Sequence, residues 1–405
     1  MMRNSRIIII IAFSVLPGLS HAQGHAAAVE PLSDDEQAIV LSLSPLNLPR
    51  KDPTNELSGN ELAISFGRSL FFDKRLSVSS TRACASCHDP NLSWTDGKAV
   101  PEGGSRNTPS LWNVVYNRWY SWDGGADTLW AQATRPIENA KEMGLDRFAL
   151  TKRIYNNDDL RRGYETVHGK LREPVCASDP AITNETCLDP ERADATKILV
   201  NVAKSLAAYL ETIISNSSAF DKFVEGLRTG NTGAVQSYPE AASRGLRVFL
   251  RSNCHLCHSG PNFTDGEFHD IGVSPKDGTL PTDPGRFEGI HVLTESEFRS
   301  DGGYSAAADP KLRFIRAGPD VWAQFKTPSL RNVVLSAPYM HNGQIATIDD
   351  VIDHYSNATS STYRHVHLES TVKPLHLTSI DRSNLIAFLE SLTDPVLIQN
   401  GNFRR

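Results

Sequence analysis

Apolar residues along this chain fall at helical spacing far more often than in alternation, and β-branched alternating runs are few, so the pattern predicts an all-α protein. The strongest stretch covers residues 192–215, where Ile198, Leu199, Val202, Leu206, Tyr209, Leu210 and Ile213 share one broad face. Shorter helices are predicted over 33–43, 59–72, 240–250 and 380–392, the last packing through Leu385, Ile386 and Leu389. Another short helix starts after Thr347, a capping residue, with Asp349 and Asp350 in the first turn where the helix dipole favours them. Gly and Pro punctuate these helices, and Thr229-Gly230-Asn231-Thr232-Gly233 breaks the pattern most sharply. The boundary is placed there, giving domains 23–229 and 230–405, because the length exceeds what one small core needs.

Residues 1–22 have the makings of a secretory leader: Arg3 and Arg6, an apolar run from Ile7 to Val15, then Ser20-His21-Ala22. Cleavage after Ala22 shifts the formal net charge from -6 to -8 by removing two arginines. The remaining sequence has no stretch long and apolar enough for a membrane span, and its mild acidity argues against a nucleic-acid partner. Export to the periplasm is therefore expected. In that oxidising setting Cys176 and Cys187 are expected to staple a surface loop.

The other four of six cysteines fall in Cys84-Ala85-Ser86-Cys87-His88 and Cys254-His255-Leu256-Cys257-His258. Two thiols and an imidazole so spaced suit covalent attachment of a c-type haem, the thiols to its vinyl groups and the histidine to its iron. A zinc ribbon needs no histidine directly after each second cysteine, and a thioredoxin-like pair needs a βαβ setting that is not evident.

Thr108-Pro109-Ser110-Leu111-Trp112-Asn113-Val114-Val115 returns as Thr327-Pro328-Ser329-Leu330-Arg331-Asn332-Val333-Val334, seven of eight residues identical at an offset of 219. The same offset carries Trp122-Asp123-Gly124 onto His341-Asn342-Gly343. The chain thus reads as two cytochrome c-like domains related by internal duplication, one haem each. The attachment sites are offset by 170, so the second half holds an insertion at roughly 262–321, rich in Gly, Asp and Pro and read as loop.

The duplication bears on the sixth iron ligand. Tyr355 in the second half corresponds to Pro136 in the first; tyrosine can ligate iron and proline cannot. One haem would then be closed and the other open to an oxidant. A core tyrosine bonded to a neighbour is the plainer alternative, with Met340, Met143, His269, His291 and His354 as rival ligands.

These residues carry a family likeness. The chain resembles the bacterial di-haem cytochrome c peroxidases and their MauG branch, through Cys84-Ala85-Ser86-Cys87-His88-Asp89-Pro90, both Thr-Pro-Ser-Leu segments, Trp122-Asp123-Gly124, Glu142-Met143 and Ala337-Pro338-Tyr339-Met340-His341-Asn342-Gly343. The resemblance implies that His88 and His258 are proximal ligands and that Trp122 relays electrons between the haems. It further implies that Gln132 and Glu142 serve the distal side of haem 1, with Pro136 lining it. Arg331, inside the second Thr-Pro-Ser-Leu motif, counts among the cofactor-binding residues. Asn107, with the carbonyls of Ser336 and Pro338, matches a calcium site of that family, an all-oxygen set. Two departures from the ordinary peroxidases, no distal histidine in 100–106 and Tyr355 in place of methionine, are shared with the MauG branch.

The expected function is reduction of hydrogen peroxide at haem 1, with electrons drawn from a protein: a small cytochrome, a cupredoxin, or a target to be modified. A non-enzymatic di-haem electron carrier is the alternative, and a haem-based sensor lacks an evident output domain. Trp112, Trp119 or Tyr120 are possible surface relays.

Overall fold

The computed structural model describes residues 31–174, 189–273, 282–357, 368–395 and 397; the expected leader and the Cys176 and Cys187 pair lie outside them. α1 (Asp34–Ser42) opens on a capping box in which Ser33 Oγ takes the Glu36 N–H and Glu36 returns to the Ser33 N–H. α2 (Glu61–Phe71) starts at Asn60, whose side chain accepts from Leu62 and Ala63. After α3 (Leu129–Glu138), α4 (Arg147–Asn156) and α5 (Asp158–His168) comes the long α6 (Asp189–Leu210). α7 (Ala219–Thr229), α8 (Thr232–Gln236) and α9 (Glu240–Arg251) follow, then α10 (Arg286–Glu295), α11 (Ile348–Ser356) and α12 (Ser379–Ser391). The only sheet among the described residues is an antiparallel pair of two-residue strands, Phe268–His269 against Phe325–Lys326.

Two helix crossings hold the architecture, and both depend on a glycine. A Cβ on Gly67 of α2 would sit 1.9 Å from the Ser205 carbonyl oxygen of α6. One on Gly245 of α9 would sit 1.8 Å from the Asn384 carbonyl oxygen of α12. Only a residue without a side chain lets the two backbones touch. Around the first crossing Phe71, Trp130, Leu150, Leu199 and Leu206 form one core; around the second Phe220, Phe249, Phe263, Leu246 and Phe388 form another. The ends of the two long helices are pinned alike. Asn113 bonds the backbone of Ile213 and Ser215, and Asn332 that of Leu392 and Asp394.

From Leu32 onward the chain is one compact unit. α7, on the N-terminal side of the boundary expected at 229, places Phe220, Phe223 and Val224 in the second core beside Val40 and Leu43 of the α1 segment.

The segment expected to be loop, 262–321, instead contains α10. Its helix is made by tertiary contact: Gly289 lies against the Asp123 carbonyl, 2.0 Å from where a Cβ would be, and Arg286 donates to the Asp123 and Gly124 carbonyls. Ser300 N–H and Lys311 Nζ then reach Asp127, so the insertion clasps the first half. α3 also escapes the hydrophobic pattern, because Pro136 stands in its last turn and reads as a breaker.

Candidate functional site

Each Cys-x-x-Cys-His stretch folds as one tight turn that closes on its first cysteine. His88 N–H donates to Cys84 O at 2.9 Å, and His258 N–H to Cys254 O at 2.9 Å. This turn gathers both thiols and the imidazole of each stretch on one side. None of the four sulfurs is joined to another, and burial pushes the Cys84 and Cys254 thiols up to about 12. His88 Nδ1 lies 3.1 Å from Trp94 O and His258 Nδ1 3.0 Å from Phe263 O. A carbonyl can only accept, so Nδ1 carries the proton and Nε2 keeps its lone pair. Burial also pushes both imidazoles below their ordinary value, favouring the neutral form that ligates metal.

All six residues line one connected cavity of about 1070 Å³, shared between the two halves. Trp122, Gln132, Pro136, Glu142, Tyr355, Arg331, Asn107, Ser336 and Pro338 line it as well, whereas Trp119, His291 and His354 do not.

On the first side, α3 presents Gln132 and Pro136, and the chain turns back so that Met143 N–H bonds Pro136 O. Gln132 Oε1 accepts from Arg135 at 3.2 Å. Glu142 is exposed, and its Oε1 accepts from Asn139 Nδ2 at 2.6 Å. Arg135 and Asn139 were not singled out in the sequence. Arg135 stands three residues from Gln132, a spacing that points to contact only once α3 is known to be a helix, while Asn139 meets Glu142 in the turn beyond the end of α3.

On the second side, α11 repeats α3. Thr128 caps α3 by accepting from Ala131, and Thr347, 219 residues later, caps α11 by accepting from Asp350. Pro136 and Tyr355 are each eighth after their cap. Among the described residues the Tyr355 hydroxyl makes no hydrogen bond, and burial pushes the phenol well above its ordinary value. It stays neutral unless a cation stands before it.

Three of its rivals are engaged elsewhere. His354 Nε2 lies 2.9 Å from the Ile271 carbonyl, and His291 stacks edge-on against Phe287. His269 is held by Asp265 at 2.8 Å and Glu369 at 3.1 Å. The Asp265 bond above all, then a contact with the Cys257 thiol, pushes it up to about 11, which favours the protonated ring. Met340 and Met143 remain on the cavity wall. Arg331 gives its guanidinium to both oxygens of Asp221 and to the Pro261 carbonyl.

Between the two sides, Trp122 Nε1 donates to Asn107 O at 2.8 Å. The backbone N–H of Asn107 donates to His341 O at 2.7 Å, and that of Lys326, at the repeat position of Asn107, to Trp122 O at 2.9 Å. His341, at the repeat position of Trp122, stacks on Phe325 with centroids 3.5 Å apart. Burial pushes it down to about 4, so it is neutral. The Asn107 amide NH₂ donates to the Lys98 and Ala99 carbonyls, which leaves its Oδ1 to face another group.

Comparison with known proteins agrees with this geometry. The family profile of the di-haem cytochrome c peroxidases matches residues 61–229. A methylamine utilization protein MauG from Methylophilus methylotrophus is 31% identical over 336 residues, covering 81% of this chain and 81% of the relative. A cytochrome-c peroxidase from Denitromonas iodatirespirans is 30% identical over 370 residues, 88% of this chain and 87% of the relative. The crystal structure of a MauG-like protein associated with microbial copper homeostasis superposes with a TM-score of 0.64 at 26% identity, over 89% of this chain and 97% of the other. The fold is thus that of a di-haem oxidoreductase. The chain belongs to the di-haem cytochrome c peroxidase family, in which MauG also falls.

Proposed function

We propose that this protein is an exported c-type di-haem peroxidase of two duplicated cytochrome c-like halves, meeting near 213–230. It reduces hydrogen peroxide at the first pocket and draws electrons from a protein partner. The observation that carries this reading is the pair of equivalent helix positions, Pro136 on α3 and Tyr355 on α11, lining one cavity. The donor set fits two haems: two free thiols and one neutral imidazole with a directed Nε2 on each side.

Cys84, Cys87 and His88 would hold haem 1; Cys254, Cys257, His258 and Tyr355 would hold haem 2. When bound, the haems supply the redox chemistry that protein side chains lack. The chain's own work is selection of ligands and placement of protons. Pro136 offers no ligand and leaves the first distal side to a small molecule. Gln132 offers a hydrogen bond to such a molecule. Glu142, held by Asn139, can take the proton from the near oxygen of a peroxide and return it to the far one. Tyr355 would hold haem 2 on its second side through the phenol oxygen, and a phenolate there would give that centre a lower potential than a thioether would. Trp122, fixed by Asn107, bridges the sides. Asn107 Oδ1 with the Ser336 and Pro338 carbonyls supplies hard oxygen ligands suited to calcium.

The tyrosine and the likeness to MauG favour a partner that is itself oxidised as a protein over a small-molecule donor. The test is the ferric optical and electron paramagnetic spectrum, then titration with peroxide. A high-spin component that vanishes on adding one equivalent of peroxide is expected. A wholly low-spin spectrum indifferent to peroxide returns the protein to an electron carrier.

A further inference from the structure

Resting on that reading, we propose that a second cavity, between α3 and α10, is the entrance at which hydrogen peroxide waits, with Arg135 as the gate to the distal side of the first haem pocket. This cavity measures about 310 Å³. Ala126, Ala131, Leu293 and Phe298 wall it, and its rim carries the exposed Glu295 and the half-buried Ser296, so it meets the surface. None of these six lines the large cavity. Arg135 and Val292 line both, so at these two residues the partition is a single side chain thick.

Arg135 is held in a way that suits a gate. Its Nη1 donates to Gln132 Oε1 at 3.2 Å on the haem side, and on the other it stands 2.7 Å from where a Cβ on Gly125 would be. Among the described residues that is the one bond its guanidinium makes, and no carboxylate pairs with it. A long side chain tethered by one neutral hydrogen bond changes rotamer readily, as one clamped by a carboxylate does not. The solute fits the donors present. Hydrogen peroxide is small and uncharged, with two O–H groups to donate and lone pairs on both oxygens. Arg135 can donate to it and Asp127, another lining residue, can accept from it. Asp127 is 1% exposed; its Oδ2 is taken by the Ser300 N–H, and its Oδ1 has no partner among the described residues. A carboxylate oxygen buried without a donor is costly, and a small hydroxylic solute offsets that cost.

The second half keeps the helix and loses the gate. At the offset of 219, Arg135 becomes His354, Gln132 becomes Val351 and Pro136 becomes Tyr355. His354 Nε2 is fixed to the Ile271 carbonyl at 2.9 Å, and valine offers no acceptor. α10 belongs to the insertion that the first half lacks, and it closes on that half by setting Gly289 against the Asp123 carbonyl. The added segment thus walls a cavity beside the pocket that Pro136 leaves open. The rival way in lies past Glu142, which is exposed beyond the end of α3.

The test plugs the cavity after folding. Holoprotein carrying Ser296→Cys is labelled with benzyl methanethiosulfonate, with wild type treated alike and labelling of Ser296→Cys confirmed by mass spectrometry. The ferric protein is then mixed with cyanide, and separately with hydrogen peroxide, in stopped flow. Labelling should slow cyanide association and dissociation at haem 1 by the same factor, about tenfold or more, and slow the peroxide reaction equally. The cyanide dissociation constant should stay unchanged, because a plug in a passage touches neither end state. In Arg135→Ala, tert-butyl hydroperoxide should gain on hydrogen peroxide several-fold, since a wider gate helps the bulkier solute more. Cyanide rates that labelling leaves unchanged, a dissociation constant that moves, or an Arg135→Ala variant that slows both peroxides alike overturns the entrance alone. Ferric protein that takes up neither cyanide nor peroxide before labelling overturns the entrance together with the function it rests on.

Discussion

Replacing Arg331 with Met tests whether this residue works for the protein or for the cofactor. Its guanidinium donates to Asp221 at 2.9 and 2.8 Å and to Pro261 O at 2.6 Å. The Arg331 side chain is 1% exposed and that of Asp221 11%. Removing the cation strands a carboxylate in the second core, a change that costs about 3–5 kcal/mol when one member of a buried pair is lost. Burial by itself would raise the Asp221 carboxyl, but Arg331 and Ser218 hold it below its ordinary value. In the wild type its contribution is therefore present above the unfolded pKa of about 3.9 and lost as pH falls through the lower folded value. In Arg331→Met the carboxyl rises above 3.9, so the variant's deficit is largest near neutrality and shrinks in acid as the stranded group takes a proton. Urea unfolding of the holoprotein followed by far-ultraviolet circular dichroism, at about pH 7.5 and about pH 5, reads both effects. The Arg331→Met, Asp221→Asn double variant should lose less than the two single variants combined. A deficit below about 1 kcal/mol, or one that does not change with pH, refutes the pairing and returns Arg331 to the cofactor.

Gly67→Ala drives a methyl into the Ser205 carbonyl and should cost about 3 kcal/mol or more, read as a lowered thermal midpoint; a normal midpoint means α2 and α6 can part freely. Glu142→Gln should slow the peroxide reaction about 10²–10⁴-fold in stopped flow with both haem bands intact, and Asn139→Ala by a smaller factor. An unchanged rate in Glu142→Gln removes that carboxylate from proton transfer. Burial pushes His168 down to about 4. The unfolded chain binds its proton first, so stability should fall from about pH 6.5 toward pH 4, by on the order of 2 kcal/mol after solvent screening. His168→Gln should flatten that slope in denaturant titrations, and an unaltered slope assigns it to other groups. Tyr355→Phe should abolish the low-spin ferric signal of haem 2 while the peroxide reaction of haem 1 persists; an unaltered signal hands the sixth position to another residue.

Chemistry was more legible in the sequence than architecture. The attachment motifs and the repeat at 219 are short-range or exact-match signals; they, with the family likeness, single out Cys84, Cys254, Trp122, Pro136 and Tyr355, which the structure shows lining one cavity. The helices with a continuous apolar face, α1, α2, α6, α9 and α12, were predicted to within a few residues. α3 was hidden by its proline, and α10 by a glycine whose purpose is contact with Asp123, a partner 166 positions away. Gly67 and Gly245 look like weak points in their helices until the crossing helix is seen. Arg331 belonged to a repeated motif, and nothing in its neighbourhood announced that Asp221 would claim it.

The reciprocal bonds from Asn107 to His341 and from Lys326 to Trp122 run between main-chain atoms only. Spacing between the two sides of the cavity is thereby written into the peptide backbone, independent of what hangs from either position. Mutation can exchange an indole for an imidazole at such a place while the span between the two sides stays fixed.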